Sequence, residues 1–321
     1  MQLWASKSQQ SHQQVPLSMP ITLLDKRCFC RTLGFDSRRE VKLKLVADAN
    51  VWYHIDSGRI DPEQFKRYGG GLYATPTSLL EIASGIDERL LQERKGAASA
   101  VLNHSAGVLE DTETHLAKLW GVNIPSAQVA WIEGFKTISL ASSVEELESG
   151  VADYASRTLR RVGVSTLHDW RTMHWRGFQD EIVTALNHWI PGYREARANG
   201  KYIRIDKQNR AAFQEAMRSG EVKAMLTLAT YARVSLAATD LPNPSDVQIA
   251  RAERLLAPYI DAYSEYIIRC AMDYAPQEND FGDSESFIYL QPETALVTSD
   301  DRWIKIGQVV CPDQIIVPEV K

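Results

Sequence analysis

Four short segments, far apart in the chain, each place a carboxylate where an apolar run ends or a helix begins. They are LVADANVW at 45–52, TSLLEIA at 77–83, NDFGDSESFIYL at 279–290 and ALVTSDDRW at 295–303. Asp48 closes an apolar run, Glu81 opens a helix, Asp280 and Asp283 precede a helix, and Asp300 follows a strand. A parallel α/β sheet gathers such positions at the carboxyl ends of its strands, where ligands bind. Four or five carboxylates converging there cannot all stay ionised without a cation. The pattern predicts a site for Mg²⁺ or Mn²⁺ and, with it, phosphoryl chemistry.

The elements that would position these residues are legible from periodicity. VKLKLVADAN alternates and then turns wholly apolar, as a strand entering a buried sheet does. DPEQFKRY reads as a short helix with Asp61 as N-cap and Pro62 at its first position. GGGL at 69–72 reads as a turn, after which YATPTSLLEIASGI leads into a helix. From about residue 88 to 275 the pattern is almost entirely helical, with KYIRI at 201–205 alternating like a short strand. The last fifty or so residues return to the α/β pattern: helix SESFIYL, strand ALVTS and closing strand VVCPDQIIVPE. The expected organisation is a tail over 1–40, an α/β domain built from 41–90 and 276–321, and an all-α insertion over 91–275. The tail, rich in Gln and Ser, reads as disordered.

In this arrangement the chain resembles the PIN-domain family of metal-dependent nucleases, which includes the ribonuclease toxins of bacterial toxin–antitoxin systems. The family's Asp-x-Asn at the end of a strand is matched by Asp48-Ala49-Asn50, and its helix-borne Glu by Glu81. Its Asp at the start of a helix is matched by Asp283, also by Asp280, and its strand running into Thr-x-Asp by Thr298-Ser299-Asp300. The resemblance covers the two ends of the α/β region and leaves the middle unmatched. It implies a parallel sheet with helices on both faces and metal-dependent hydrolysis of phosphodiester bonds. Asp48, Glu81, Asp283 and Asp300 would be the catalytic set, joined by Asp280 as a metal ligand, with Asn50, Thr298 and Asp301 supporting. The substrate implied is RNA more than DNA, the partner an antitoxin or inhibitor protein, and a homodimer is compatible.

Each acid has a second reading as a helix cap. Ser78-Leu79-Leu80-Glu81 has the form of a capping box, in which Glu81 would bond the Ser78 backbone. Asp280 or Asp283 would cap SESFIYL, and Asp300 or Asp301 would cap RWIKIG. Asp48 resists this reading, because no helix pattern directly follows it.

The formal charge of −5 hides an asymmetry. Residues 157–210 carry eleven Lys or Arg against five Asp or Glu, whereas Cys270–Asp301 has eight acids and no Lys or Arg. The basic residues Arg157, Arg160, Arg161, Arg171, Arg176, Arg194, Arg197, Lys201 and Arg204 are interleaved with Trp170, Trp175, Trp189, Tyr193 and Tyr202. Guanidinium groups bind phosphate and aromatic rings stack on unpaired bases, so this is a candidate single-strand RNA groove. The alternative is aromatic side chains in a helical core with arginines on its wet face. His168 and His174 are six apart, which does not put two ligands on one helical face. The four cysteines (Cys28, Cys30, Cys270, Cys311) lack C-x-x-C spacing and read as reduced thiols. No membrane segment or secretory signal is expected, which leads to a cytoplasmic expectation. A non-catalytic binding or scaffold protein on the same fold is the competing function, and a DNA-directed nuclease the third.

Overall fold

The computed structural model describes residues 43–321, apart from 84–86, 125–130, 162–175, 239–240 and 278, and apart from the side chains of 153–161. The expected tail, Cys28 and Cys30 lie outside the described residues, as do Trp170, Arg171, Trp175 and the side chains of Arg157, Arg160 and Arg161.

The first half of the chain lays down β1 (Lys44–Ala47), α1 (Ala49–Asp56), a 3₁₀ segment (Pro62–Tyr68), β2 (Leu72–Ala74) and α2 (Pro76–Ala83). It continues through α3 (Leu91–His104), β3 (Ser105–Val108), α4 (Thr112–Trp120), α5 (Trp131–Leu140) and α6 (Val144–Arg161). A helical run follows: α7 (Gly177–Trp189), α8 (Tyr193–Ala198), α9 (Arg210–Met217), α10 (Gly220–Ala237), α11 (Asp246–Leu255) and α12 (Ala257–Met272). The chain closes with α13 (Asp280–Glu285), a 3₁₀ turn (Ser286–Tyr289), β4 (Thr294–Val297), α14 (Asp301–Val310) and β5 (Ile315–Ile316).

The five strands form one sheet in the order β3-β2-β1-β4-β5, and every pairing is parallel. This is the expected α/β class. β1 sits at the centre, with Leu45, Val46 and Ala47 fully buried, because a strand flanked on both edges and covered on both faces must be apolar throughout. Its last residue, Ala47, is level with Val297 of β4, so Asp48 and Thr298 emerge side by side at the carboxyl end of the sheet.

Four expectations need correction. The closing strand expected over 309–319 shortens to Ile315–Ile316, because Val309 and Val310 end α14 and Pro312–Gln314 forms a 3₁₀ turn. The helix expected over 88–110 stops at His104, and Ser105–Val108 forms the edge strand β3. The sheet therefore reaches into the span expected to be an all-α insertion. GGGL is more than a turn: Gly69 ends the 3₁₀ segment at φ 69°, and β2 begins at Leu72. A Cβ on Gly71 would meet the Ala106 side chain at 2.3 Å, so the glycine admits β3 to the sheet. KYIRI belongs to no strand; its Tyr202 hydroxyl donates to the Cys270 carbonyl and its Ile205 N–H to the Ala271 carbonyl, both on α12.

The sheet and most of the helices share one apolar core, in which Leu45 and Leu296 of the strands, Ile182 of α7, Tyr266 of α12 and Trp303 of α14 are members. A smaller core joins Trp120 of α4, Tyr231 and Val234 of α10 and Leu256 beside α11. Residues 41–321 form one compact unit, so the helical span is built into the sheet's own core. Among the described residues no helix is long and apolar enough to cross a membrane.

Candidate metal centre

Asp48, Glu81, Asp283 and Asp300 reach the carboxyl end of the sheet from four separate elements. Asp48 is the N-cap of α1, its Oδ1 accepting from the Val51 N–H at 2.9 Å, so a helix does follow it, contrary to expectation. The cap leaves Oδ2 buried with no hydrogen-bond partner. The capping reading of Glu81 fails: α2 begins at Pro76, and Thr75 Oγ1 accepts the Ser78 N–H at 3.0 Å. Glu81 stands in the second turn with its Oε1 buried and unpartnered. Gly282 makes room for it, since a Cβ there would lie 1.8 Å from Glu81 Oε1. Asp283 is not a cap either; it lies inside α13 and is buried. Asp300 does cap α14, accepting from the N–H groups of Arg302 at 2.7 Å and Trp303 at 3.4 Å.

The electrostatics of this cluster follow from desolvation plus like charge. Burial pushes the Asp48 carboxyl up to about 6, with the nearby Asp300 charge adding to the shift and the Thr298 hydroxyl and Val51 and Asn50 backbone opposing it. Burial first, then the charges of Asp48 and Glu285, push Glu81 up to about 8, with Arg94 opposing. Asp283 is held well above the usual carboxylate range by burial and then by Glu81, Asp48, Asp300 and Asp280. Asp48, Glu81 and Asp283 thus form one mutually repelling set.

Asp280 is placed differently. Its Oδ2 accepts from the Tyr266 hydroxyl and the Gln277 N–H, both at 2.6 Å, and its Oδ1 lies 2.7 Å from Arg302 Nη1. Arg302 also reaches Asp300 Oδ2 at 3.4 Å. The sequence reading missed Arg302, although it is the residue directly after the stretch devoid of Lys and Arg. It also missed Glu285. That carboxylate accepts from Thr77 and Thr112 at 3.1 and 3.2 Å and is bridged to Glu113 by Arg233 of α10.

Of the supporting residues, Thr298 is buried, faces Asp48 and accepts the Asp300 N–H at 3.1 Å. Asn50 is exposed and serves Asp48 through its backbone. Asp301 is exposed at the first turn of α14.

The donor set is one that a hard divalent cation favours: carboxylate oxygens, three of them (Asp48 Oδ2, Glu81 Oε1 and Asp280 Oδ1) buried without a hydrogen bond, the last facing Arg302 in an ion pair. Among the described residues no group of three or more His, Cys, Asp or Glu is arranged to hold a metal as it stands. Mg²⁺ commonly takes one or two direct carboxylates and keeps several waters, so a closed three-residue cage is not required of such a site.

No family model, curated protein or solved structure matches this chain.

The candidate RNA groove is only partly described. Trp189, Tyr193 and Tyr202 pack with the main core, which is the core reading of the aromatics. Arg176, Arg194, Lys201 and Arg204 are exposed. Arg197 donates to the Pro276 carbonyl at 2.8 Å, so it ties the segment before α13 to α8. A cavity of about 550 Å³, lined by Lys44 and Thr294 at the amino ends of β1 and β4 and by His115 and Tyr289, includes none of the acidic set.

Proposed function

We propose that this protein is a divalent-metal-dependent nuclease of PIN-like fold that hydrolyses phosphodiester bonds, with single-stranded RNA as its first substrate class. One observation carries the reading: Asp48, Glu81 and Asp283 are crowded at the carboxyl end of the central strands, and two of their oxygens, Asp48 Oδ2 and Glu81 Oε1, are buried without a partner. A structural role would pair those atoms, because an unsatisfied buried acceptor costs about 1–3 kcal/mol. A bound Mg²⁺ or Mn²⁺ would supply the missing positive charge, lower the pKa of a coordinated water and neutralise charge developing on the phosphate.

The chain's own residues divide the work. Asp48 and Glu81 offer the free oxygens, and Asp283 stands against both. Thr298 and the α1 backbone hold Asp48 in one orientation. The exposed Arg176, Arg194, Lys201 and Arg204 supply positive charge suited to a phosphate backbone. Because burial and like charge raise the proton affinity of Asp48, Glu81 and Asp283, ion binding is expected to release protons and to strengthen as pH rises.

Cleavage of labelled single-stranded RNA with Mn²⁺ or Mg²⁺ tests the proposal, beside an EDTA control and Asp283→Asn. Activity lost in both controls supports the centre; no cleavage together with no metal-induced rise in Tm sinks it. Cleavage of DNA in preference to RNA moves the substrate and keeps the centre. A non-catalytic scaffold is favoured by one observation, the pairing of Asp280 and Asp300 through Arg302, and it requires that divalent ions leave Tm unchanged.

A further inference from the structure

Arg302 lies among the same acids. Its guanidinium stands 2.7 Å from Asp280 Oδ1 and 3.4 Å from Asp300 Oδ2, and it lies over the Tyr274 ring at 5.8 Å from the ring centroid. Its anchorage is local as well as tertiary, since Asp300 accepts the backbone N–H of Arg302 at 2.7 Å. Tyr266 and the Gln277 N–H hold Asp280 from its other oxygen, while Oδ1, which makes no hydrogen bond, is held by the ion pair with Arg302 alone. Asp48, by contrast, is 4% exposed and has an oxygen with no partner. The five acids therefore fall into two groups: Asp280 and Asp300 are ion-paired with Arg302, whereas among the described residues Asp48, Glu81 and Asp283 show no ion pair, Arg94 and Arg302 acting on Glu81 and Asp283 only through their charge.

We propose that Arg302 is the resident cation of this centre, a positioning residue that holds Asp280 and Asp300 and leaves the unpartnered oxygens of Asp48 and Glu81, beside Asp283, to bind a single divalent ion. This rests on the metal-centre reading above and adds to it the number of ions and the role of Arg302. An Arg is suited to the task because it stays ionised at any working pH and presents donors in a planar fork.

Equilibrium dialysis of the full chain against Mn²⁺ tests it without reference to cleavage. One ion per chain is expected for wild type, two for Arg302→Gln, in which Asp280 and Asp300 lose their counter-charge, and one for Arg302→Lys. Two ions in wild type, or one in an Arg302→Gln chain whose circular dichroism matches wild type, overturns the inference. Should Arg302→Gln fail to fold, Asp280→Asn decides. An unchanged count and an affinity within about threefold of wild type support the inference, whereas a loss of tenfold or more, the scale on which ligand-supporting groups act, makes Asp280 part of the ion site and overturns it. No bound ion in wild type is a separate outcome, because it removes the metal centre itself.

Discussion

At the scale of single residues, the carboxylates tie stability to pH in a direction opposite to that of ordinary acids. Asp48 moves from the usual 3.8 to about 6 and Glu81 from 4.5 to about 8, so the folded chain keeps protons that the unfolded chain has released. A raised carboxyl contributes most below its unfolded value and loses that contribution as pH climbs through the folded one. Without divalent ions, Tm is expected to fall between about pH 4 and 8, with Asp48 alone accounting for up to about 3 kcal/mol at roughly 1.4 kcal/mol per unit. Saturating Mn²⁺ should remove much of that slope; a Tm that rises steadily across the same window in EDTA contradicts the crowding of these acids. Gly282→Ala probes the same contact by shape, because its Cβ would fall on Glu81 Oε1. It is expected to lower stability by about 1–3 kcal/mol, the range for overpacking, and to abolish metal-induced stabilisation. Asp48, Glu81, Asp283 and Asp300 were all legible in the sequence, because each ends a strand or sits in an early helical turn. Arg302 was in plain view beside Asp300, yet a lone arginine after an acid looks like ordinary surface charge until the fold brings Asp280 to it.

At the scale of elements, Asp48 and Asp300 each cap a helix, whereas Glu81 and Asp283 stand inside one. Thr75 caps α2, so Thr75→Ala should cost about 1 kcal/mol in urea denaturation. Glu81→Gln should cost little in EDTA below about pH 8, since it replaces a protonated carboxyl with a neutral amide of the same shape. The reverse order would restore the capping box that Ser78 and Glu81 spell. Local pattern misled twice more. β3 is a four-residue SAGV strand that continues straight from an Ala-rich helix, and it has only one β-branched residue to announce it. KYIRI alternates as a strand does, but what it meets is the α12 backbone through Tyr202 and Ile205, with no neighbouring strand to complete a ladder. Pairing partners are tertiary facts, and periodicity reads only the chain's own two faces.

For the whole molecule, the large helical span is part of what the acidic centre stands on. Arg233 of α10 bridges Glu113 of α4 and Glu285 of α13 at 2.8 and 2.6 Å, and Glu285 is among the charges felt by Glu81. Arg233→Met should remove the cation that bridges Glu113 and Glu285 and cost about 3–5 kcal/mol, measured by chemical denaturation. A chain that joins residue 90 to residue 276 would lose β3 and Arg233 together, and it is expected to show no cooperative unfolding transition. None of this was visible in the sequence, where the three charged residues are 52 and 120 positions apart and look like separate helix surfaces. The register of β1 has a further consequence for biosynthesis. Lys44 is level with Thr294, so the central strand leaves the ribosome about 250 residues ahead of its β4 neighbour. At roughly 5–20 residues per second that is a wait of about 10–50 s. Throughout it Asp48 and Glu81 exist without Asp283 and Asp300, so translation itself delays assembly of the acidic cluster until the last strands have emerged.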